Sequence, residues 1–254
     1  MKQVEQGQTG GAIFVAATDT GVGKTMISAL VVDFLRRRGV AAAYQKWVAT
    51  GCSGPVPADL AAVAACSGQP PALAGAGGSV ADGPFAARAL QLAVPYRFRL
   101  PASPHLAAEQ EGGRVEPERL RTLFRQARAG CELLVVEGVG GLLVPLNRQK
   151  LLVDLVAELA LPVLLVARSG LGTINHTLLS LEALRSRKLP LVGVVFSDEA
   201  EELPAVIVED NLRTIAELGW VPVLGRLPRC RGLAAARRAF IPIGEKLLPA
   251  VAAQ

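Results

Sequence analysis

Ala17-Thr18-Asp19-Thr20-Gly21-Val22-Gly23-Lys24-Thr25 is the stretch on which the fold turns. A short apolar run, residues 12–16, leads into it, and a helix-forming stretch begins at Lys24. A glycine-rich turn between a strand and a helix aims several backbone N–H groups, together with the positive end of the helix dipole, at one point in space. A polyphosphate fits such a point. Gly21 and Gly23 let the backbone approach an anion with no Cβ in the way. Lys24 is placed to meet the β- and γ-phosphates as a point charge, and the Thr25 hydroxyl to ligate a magnesium ion. The strict spacing G-x-x-x-x-G-K-[ST] is not met, because Thr18 sits where its first glycine belongs.

Outward from this junction, β-prone and helical stretches alternate. Apolar β-prone segments recur at 12–16, 41–46, 133–137, 162–167, 189–196 and 222–225. Helical patterns fall at 24–38, 59–66, 117–129, 151–159, 173–187, 204–218 and within 233–253. This alternation predicts an α/β fold of three layers, a central, mostly parallel sheet flanked by helices. The runs around Leu133, Val163 and Val192 are continuously apolar, as strands buried on both faces should be. Pro204 suits a first helical turn, and Gly39 and Gly219 suit helix stops. Residues 67–82 are rich in Gly, Ala and Pro, show no period and read as a loop excursion. No composition break divides the 254 residues, so a single domain over 1–254 with a polar tail at 1–10 is expected.

Composition narrows the function classes. Hydrophobic residues at 51% and charged residues at 19% exclude general disorder. No apolar run approaches the roughly 20 residues that span a bilayer, and residues 1–10 lack the apolar core of a secretion signal. A cytoplasmic protein with no membrane partner is expected. Cys52, Cys66, Cys131 and Cys230 form no C-x-x-C pair, and with two histidines in the chain they argue against structural zinc and against a disulfide framework. The net charge of +5 comes from scattered basic residues, and aromatics at 4% leave few platforms for stacking bases, so no nucleic-acid partner is expected.

Ligands of open α/β sheets lie beyond the carboxyl ends of the strands, and the other polar candidates fall there. Lys46 ends a strand in Gln45-Lys46-Trp47-Val48-Ala49-Thr50-Gly51, and a lysine at a buried strand end is uncommon unless it is paired or meets an anion. Asp59 stands at a helix start, where an N-cap and a metal ligand are both open readings. Glu137 ends a strand in Val135-Val136-Glu137-Gly138-Val139-Gly140-Gly141. Thr25, Asp59 and Glu137 would give one Mg²⁺ a set of hard oxygens, with phosphates and waters completing an octahedron. His105 and His176, each at a helix start, read as capping or packing residues.

Together with Ser103-Pro104-His105 and Gly172-Thr173-Ile174-Asn175-His176, these motifs resemble the dethiobiotin synthase family, in its order and approximate spacing, from about Ile13 to Pro228. The family's loop runs Gly-x5-Gly-Lys-Thr, which accounts for Thr18 and puts Ala17 at the opening glycine. The resemblance implies a P-loop NTPase fold and a cyclo-ligase that closes a cyclic urea from 7,8-diaminopelargonate, CO₂ and ATP or another nucleoside triphosphate, with Mg²⁺. It implies that Lys24, Lys46 and Thr20 hold the substrate carbamate and the transferred phosphate. Thr20, Gly21, Val22, Gly23, Lys24, Thr25, Met26, Glu137, Ser197 and Pro228 would contact the nucleotide and its metal. Thr50, Gly138, Gly140 and Gly141 would line the substrate, and the helix start at Gly172, Thr173, Ile174 and Asn175 would take its carboxylate tail. In the family that helix comes from a second subunit, which implies a homodimer with shared sites. Trp47 stands where the family usually has proline. Ser197 replaces a usual asparagine that hydrogen-bonds adenine, which leaves the preferred base open.

A carbamate that attacks a γ-phosphate is one anion approaching another, so two lysines and a cation are needed to offset the repulsion. Two other functions share parts of the pattern. A related P-loop amidotransferase or ligase would share Lys24, Thr25 and the strand-end acid, but no Cys-His nucleophile arrangement for glutamine hydrolysis is evident. A nucleotide switch of the kind that partitions DNA or positions division sites typically carries a further lysine near the loop start, where this chain has Ala16 and Ala17.

Overall fold

The computed structural model describes residues 11–68, 84–198 and 204–252. Six strands form one parallel sheet: β1 (Gly11–Ala17), β2 (Ala42–Lys46), β5 (Leu133–Glu137), β8 (Val163–Arg168), β9 (Leu191–Ser197) and β10 (Val223–Leu227). Their order is β10-β9-β8-β1-β5-β2, so β1 and the loop that leaves it lie in the middle of the sheet. Two small pairs lie outside it: β3 (Val48–Ala49) with β4 (Tyr96–Arg97), and β6 (Pro145–Asn147) with β7 (Lys150–Leu151). The helices are α1 (Lys24–Arg37), α2 (Ala58–Ser67), α3 (Pro84–Ala93), α4 (Pro104–Gln110), α5 (Pro117–Arg128), α6 (Leu152–Glu158), α7 (Thr173–Arg185), α8 (Ala205–Gly219) and α9 (Leu233–Ala252).

β1 shows why the sheet has helices on both faces. Its side chains alternate, and both sets are apolar. Ala12, Phe14 and Ala16 join a core built with α5, α6 and α7, while Ile13, Val15 and Ala17 join a second core built with α1, α2 and α9. Two cores, one on each side of the sheet, give the three layers expected from the sequence. On the α1 side, the Phe34 and Phe240 rings meet edge-on with centroids 6.1 Å apart, and Gly244 of α9 faces the Phe34 ring so closely that an added Cβ would come within 2.6 Å of it.

The six strand expectations and the seven helix expectations are all met to within a few residues. Gly39 stops α1 as expected, at φ +83°, with Val40 N–H donating back to the Leu35 carbonyl. Gly219 does not stop α8. It is the buried last residue of the helix, where a Cβ would lie 2.9 Å from Leu181 Cδ1, so its missing side chain is used for close contact with α7. Trp220 takes the left-handed position instead, at φ +46°. Pro204 precedes α8 as its N-cap rather than standing in its first turn. Of the excursion expected at 67–82, Ser67 is the last residue of α2, and 69–82 lie outside the described residues, as does the 1–10 tail. The α3 helix and the two small strand pairs were not expected. Among the described residues no helix is long and apolar enough to cross a membrane.

Candidate active site

The loop after β1 turns through Gly21 at φ +81° and Gly23 at φ +85°, and Gly23 is the N-cap of α1. Both lie in the left-handed region, which costs a side-chain-bearing residue about 1 kcal/mol or more. Gly23 is doubly constrained, because a Cβ there would stand 2.4 Å from the Ser197 Oγ at the end of β9. The loop opens onto a cavity of about 370 Å³ lined by Thr20, Gly21, Gly23, Lys24, Thr25, Met26, Lys46, Thr50, Asp59 and Gly140, among others. Residues as far apart in sequence as Thr20 and Gly140 meet here because β1, β2 and β5 end side by side, with Val15, Glu137 and Lys46 in register.

Four polar groups interlock at the floor. The Thr25 Oγ1 lies 2.8 Å from Asp59 Oδ1 and 2.7 Å from Glu137 Oε1. Its single proton serves one of them at a time. The Lys46 ammonium lies 2.7 Å from Glu137 Oε1 and 3.0 Å from Asp59 Oδ2. Burial pushes the Lys46 pKa down, but the Glu137 and Asp59 carboxylates outweigh it and hold it above the usual lysine value. Burial opposes the charge of Asp59 as well, and Lys46 and the Thr25 hydroxyl keep it below the usual carboxylate value. Asp59 is in the first turn of α2 behind Pro57, the N-cap, so its side chain serves this cluster and caps nothing. Behind the cluster, Tyr44 donates its hydroxyl to Glu137 Oε2 at 2.8 Å.

Lys24 reaches the cavity from the other side and donates to the Gly140 carbonyl at 3.1 Å. Burial, with Lys46 nearby, lowers its pKa to about 8. A buried ammonium this easily discharged has an unmet need for anions, which a polyphosphate would fill.

The oxygen set fits a small hard cation. Two carboxylates and a hydroxyl converge with no imidazole or thiolate among them, which suits Mg²⁺ bound through few protein ligands, waters and phosphate oxygens. Among the described residues no group of three or more His, Cys, Asp or Glu side chains that could hold a metal forms, so such an ion would need ligands from outside the protein.

The other expected residues divide by position. Val22 is buried beneath the loop, and Met26 and Thr50 border the cavity. Gly141 packs on the carbonyls of Ala17 and Thr18, while the Gly138 N–H is taken by the Val15 carbonyl, and a Cβ on Gly138 would strike Phe14 at 2.8 Å. Gly138 thus serves strand packing. Pro228 follows β10 and is exposed. Beside Ser197, Asp198 is held by Arg226 through bonds of 2.7–3.0 Å. Gly172, Thr173, Ile174 and Asn175 cap and open α7 and do not line this cavity. Neither His105 nor His176 lines it. Sequence reading passed over Tyr44, whose signal would have been a tyrosine two residues before a strand-end lysine, on the same strand face.

Residues 11–237 match the family model described as an AAA domain. The chain is 43% identical over 219 residues to the ATP-dependent dethiobiotin synthetase of Rhodopseudomonas palustris strain BisB18, covering 85% of this chain and 87% of that protein. It is 41% identical to the enzyme of the same name in Brucella ovis, over 85% of each chain. It also matches the biotin biosynthesis bifunctional protein BioCD of Bordetella avium at 42% identity, spanning 85% of this chain but only 39% of that longer protein. Among solved structures, the MinC:MinD cell division complex of Aquifex aeolicus is similar with a TM-score of 0.57 at 12% identity, covering 94% of this chain and 96% of that one. A ParA family ATPase from Chlorobium tepidum is similar with a TM-score of 0.53 at 12% identity, over 96% and 99%. These two share the fold. The central parallel sheet, the glycine loop ahead of α1 and the identity along the chain place this protein in the P-loop family of ATP-dependent dethiobiotin synthetases.

Proposed function

We propose that the chain is a dethiobiotin synthetase, which forms the ureido ring of dethiobiotin from 7,8-diaminopelargonate, CO₂ and a nucleoside triphosphate. The observation that carries this reading is the meeting of two buried lysines, one at the start of α1 and one at the end of β2, in one small cavity beside the Thr25, Asp59 and Glu137 oxygens. Lys24 at the helix start would hold the β- and γ-phosphates, helped by Thr20 and the loop amides. Lys46 would face the carbamate, with Thr50 beside it. Between them the carbamate oxygen attacks the γ-phosphorus, NDP leaves, and the carbamic-phosphoric anhydride that results is open to the second amine. Ring closure then expels phosphate. The cationic side chains offset charge throughout, and no histidine is required.

Thr25, Asp59 and Glu137 would hold Mg²⁺. Such an ion would neutralise phosphate oxygens as charge develops. Ser197 and Pro228 would border the base. The α7 start, with Gly172 to Asn175, would reach the substrate carboxylate of a second copy, which makes a homodimer part of the proposal. A single domain in the cytoplasm accords with this reading.

The test supplies purified protein with the diamine, bicarbonate, Mg²⁺ and ATP, CTP or GTP in turn. Diamine-dependent phosphate release with an equal amount of dethiobiotin, followed by mass, is the expected result. Nucleotide binding without product under all three conditions would sink the proposal.

A further inference from the structure

The two oxygens of Glu137 keep different company. Oε1 is turned toward two residues that line the cavity, Thr25 and Lys46, whose hydroxyl and ammonium each lie 2.7 Å from it. Oε2 accepts the Tyr44 hydroxyl at 2.8 Å, on the face that β2 and β5 share. Tyr44 is 1% exposed and Glu137 is 0% exposed, so no water competes for that bond. Asp59 has no such restraint, since its Oδ1 meets Thr25 and its Oδ2 meets Lys46, both on the cavity side. One carboxylate of the cluster is therefore free to present two oxygens, and the other is turned so that it presents one.

We infer that Tyr44 is a positioning residue that limits Glu137 to single-oxygen contact with a cation and thereby favours a small octahedral ion such as Mg²⁺ over a larger one such as Ca²⁺. This rests on the proposed reading of Glu137 as a cation ligand. Ca²⁺ takes about 6–8 oxygens at roughly 2.3–2.6 Å and gains from carboxylates that bind through both oxygens, whereas Mg²⁺ at about 2.0–2.1 Å takes single oxygens at octahedral corners. For Glu137 to offer both oxygens it must rotate Oε2 away from Tyr44, which leaves a phenol hydroxyl without an acceptor in the core. The cost falls on the ion that needs the second oxygen. Tyr44 can act this way because it lies two residues before Lys46, on the strand face that also carries the acid, with β2 and β5 in register from Ala42 to Lys46.

Tyr44→Phe removes the hydroxyl and keeps the ring. Mg²⁺ and Ca²⁺ are titrated separately by calorimetry into wild-type and variant protein loaded with ADP, with melting curves as a check on folding. The expected result is a shift of about tenfold toward Ca²⁺ in the ratio of the two dissociation constants, the scale of effect typical for groups that orient a metal ligand. An unchanged ratio in a folded variant overturns the role of Tyr44. Uptake of neither ion by wild-type protein overturns the reading of Glu137 as a ligand, and the inference with it. A second measurement needs no Tyr44 variant: infrared difference spectra of the wild type with Ca²⁺, against Glu137→Gln, report how the Glu137 carboxylate binds. The splitting of a single-oxygen contact is expected, and that of a two-oxygen contact overturns the inference.

Discussion

Glu137 and Asp33 are both acids with almost no exposure, and both are met by cations, yet they are built for opposite ends. Asp33, about 13 Å along α1 from Lys24, receives Arg37 Nε at 2.9 Å and both Nε and Nη2 of Arg237 at 3.0 Å. Arg237 also donates to the Cys66 carbonyl, so the cluster pins α1, α2 and α9 together. The Arg237 fork, with Arg37 Nε beside it, holds both Asp33 oxygens in fixed, planar geometry. Glu137 instead has one compact ammonium, which it shares with Asp59, and hydroxyls from Thr25 and Tyr44. An acid clamped by arginine forks serves as a structural joint. An acid whose lysine divides itself between two partners is held less firmly.

The largest effect that would test this contrast is Lys46→Gln. Turnover should fall by about 10³ or more, as for loss of a group that offsets charge in the transition state, while the ATP dissociation constant moves only a few-fold. Product formation by mass and calorimetric ATP titration check it, and near-normal turnover would break the comparison at its functional end. Next is Asp33→Ala, which should lower stability by about 2 kcal/mol. That is less than for a fully buried pair, because the Arg37 and Arg237 side chains are 59% and 29% exposed. Chemical denaturation measures the loss, and kcat of the folded variant should be unchanged. Asp198 extends the contrast to a third acid, since its side chain is 3% exposed and forked by Arg226. If the rule holds, Arg226→Met costs about 1 kcal/mol of stability and changes kcat by less than twofold, whereas a large drop in kcat would mean that a fork can also serve the chemistry.

The smallest effect uses Cys66 as a reporter. Burial, with Asp33 nearby, pushes its thiol up to about 11, so a thiol reagent at pH 8 should label it slowly. Removing Asp33 takes away a negative charge that disfavours the thiolate, and labelling of the Cys66 peptide should quicken a few-fold. Equal rates would show that the joint does not hold α2 closed.

How far the sequence could be read depended on distance. The loop, Lys46 and Glu137 were legible because each stands at the end of an apolar strand, where periodicity locates it. Tyr44 was not, since its meaning lies in a bond to a residue 93 positions away that exists only when β2 pairs with β5. Gly219 was misread as a helix stop because its conformational freedom is visible in sequence, while its contact with Leu181 depends on how α7 and α8 pack. The two-residue strands β3, β4 and β7 are too short to show a period. Gly138 to Gly141 read as one substrate-facing turn, yet the first packs on Phe14 and the third borders the cavity, a division set by tertiary contacts.

The ammonium shared by Asp59 and Glu137 is tethered to β2, so the chain is synthesised with its own counter-ion attached. Two acids brought face to face would resist closure of the sheet until a charge arrived from solution. Tethering presents that charge at an effective concentration that dilute free ions do not match. Assembly of the cavity is thereby freed from any need for a cation from solution.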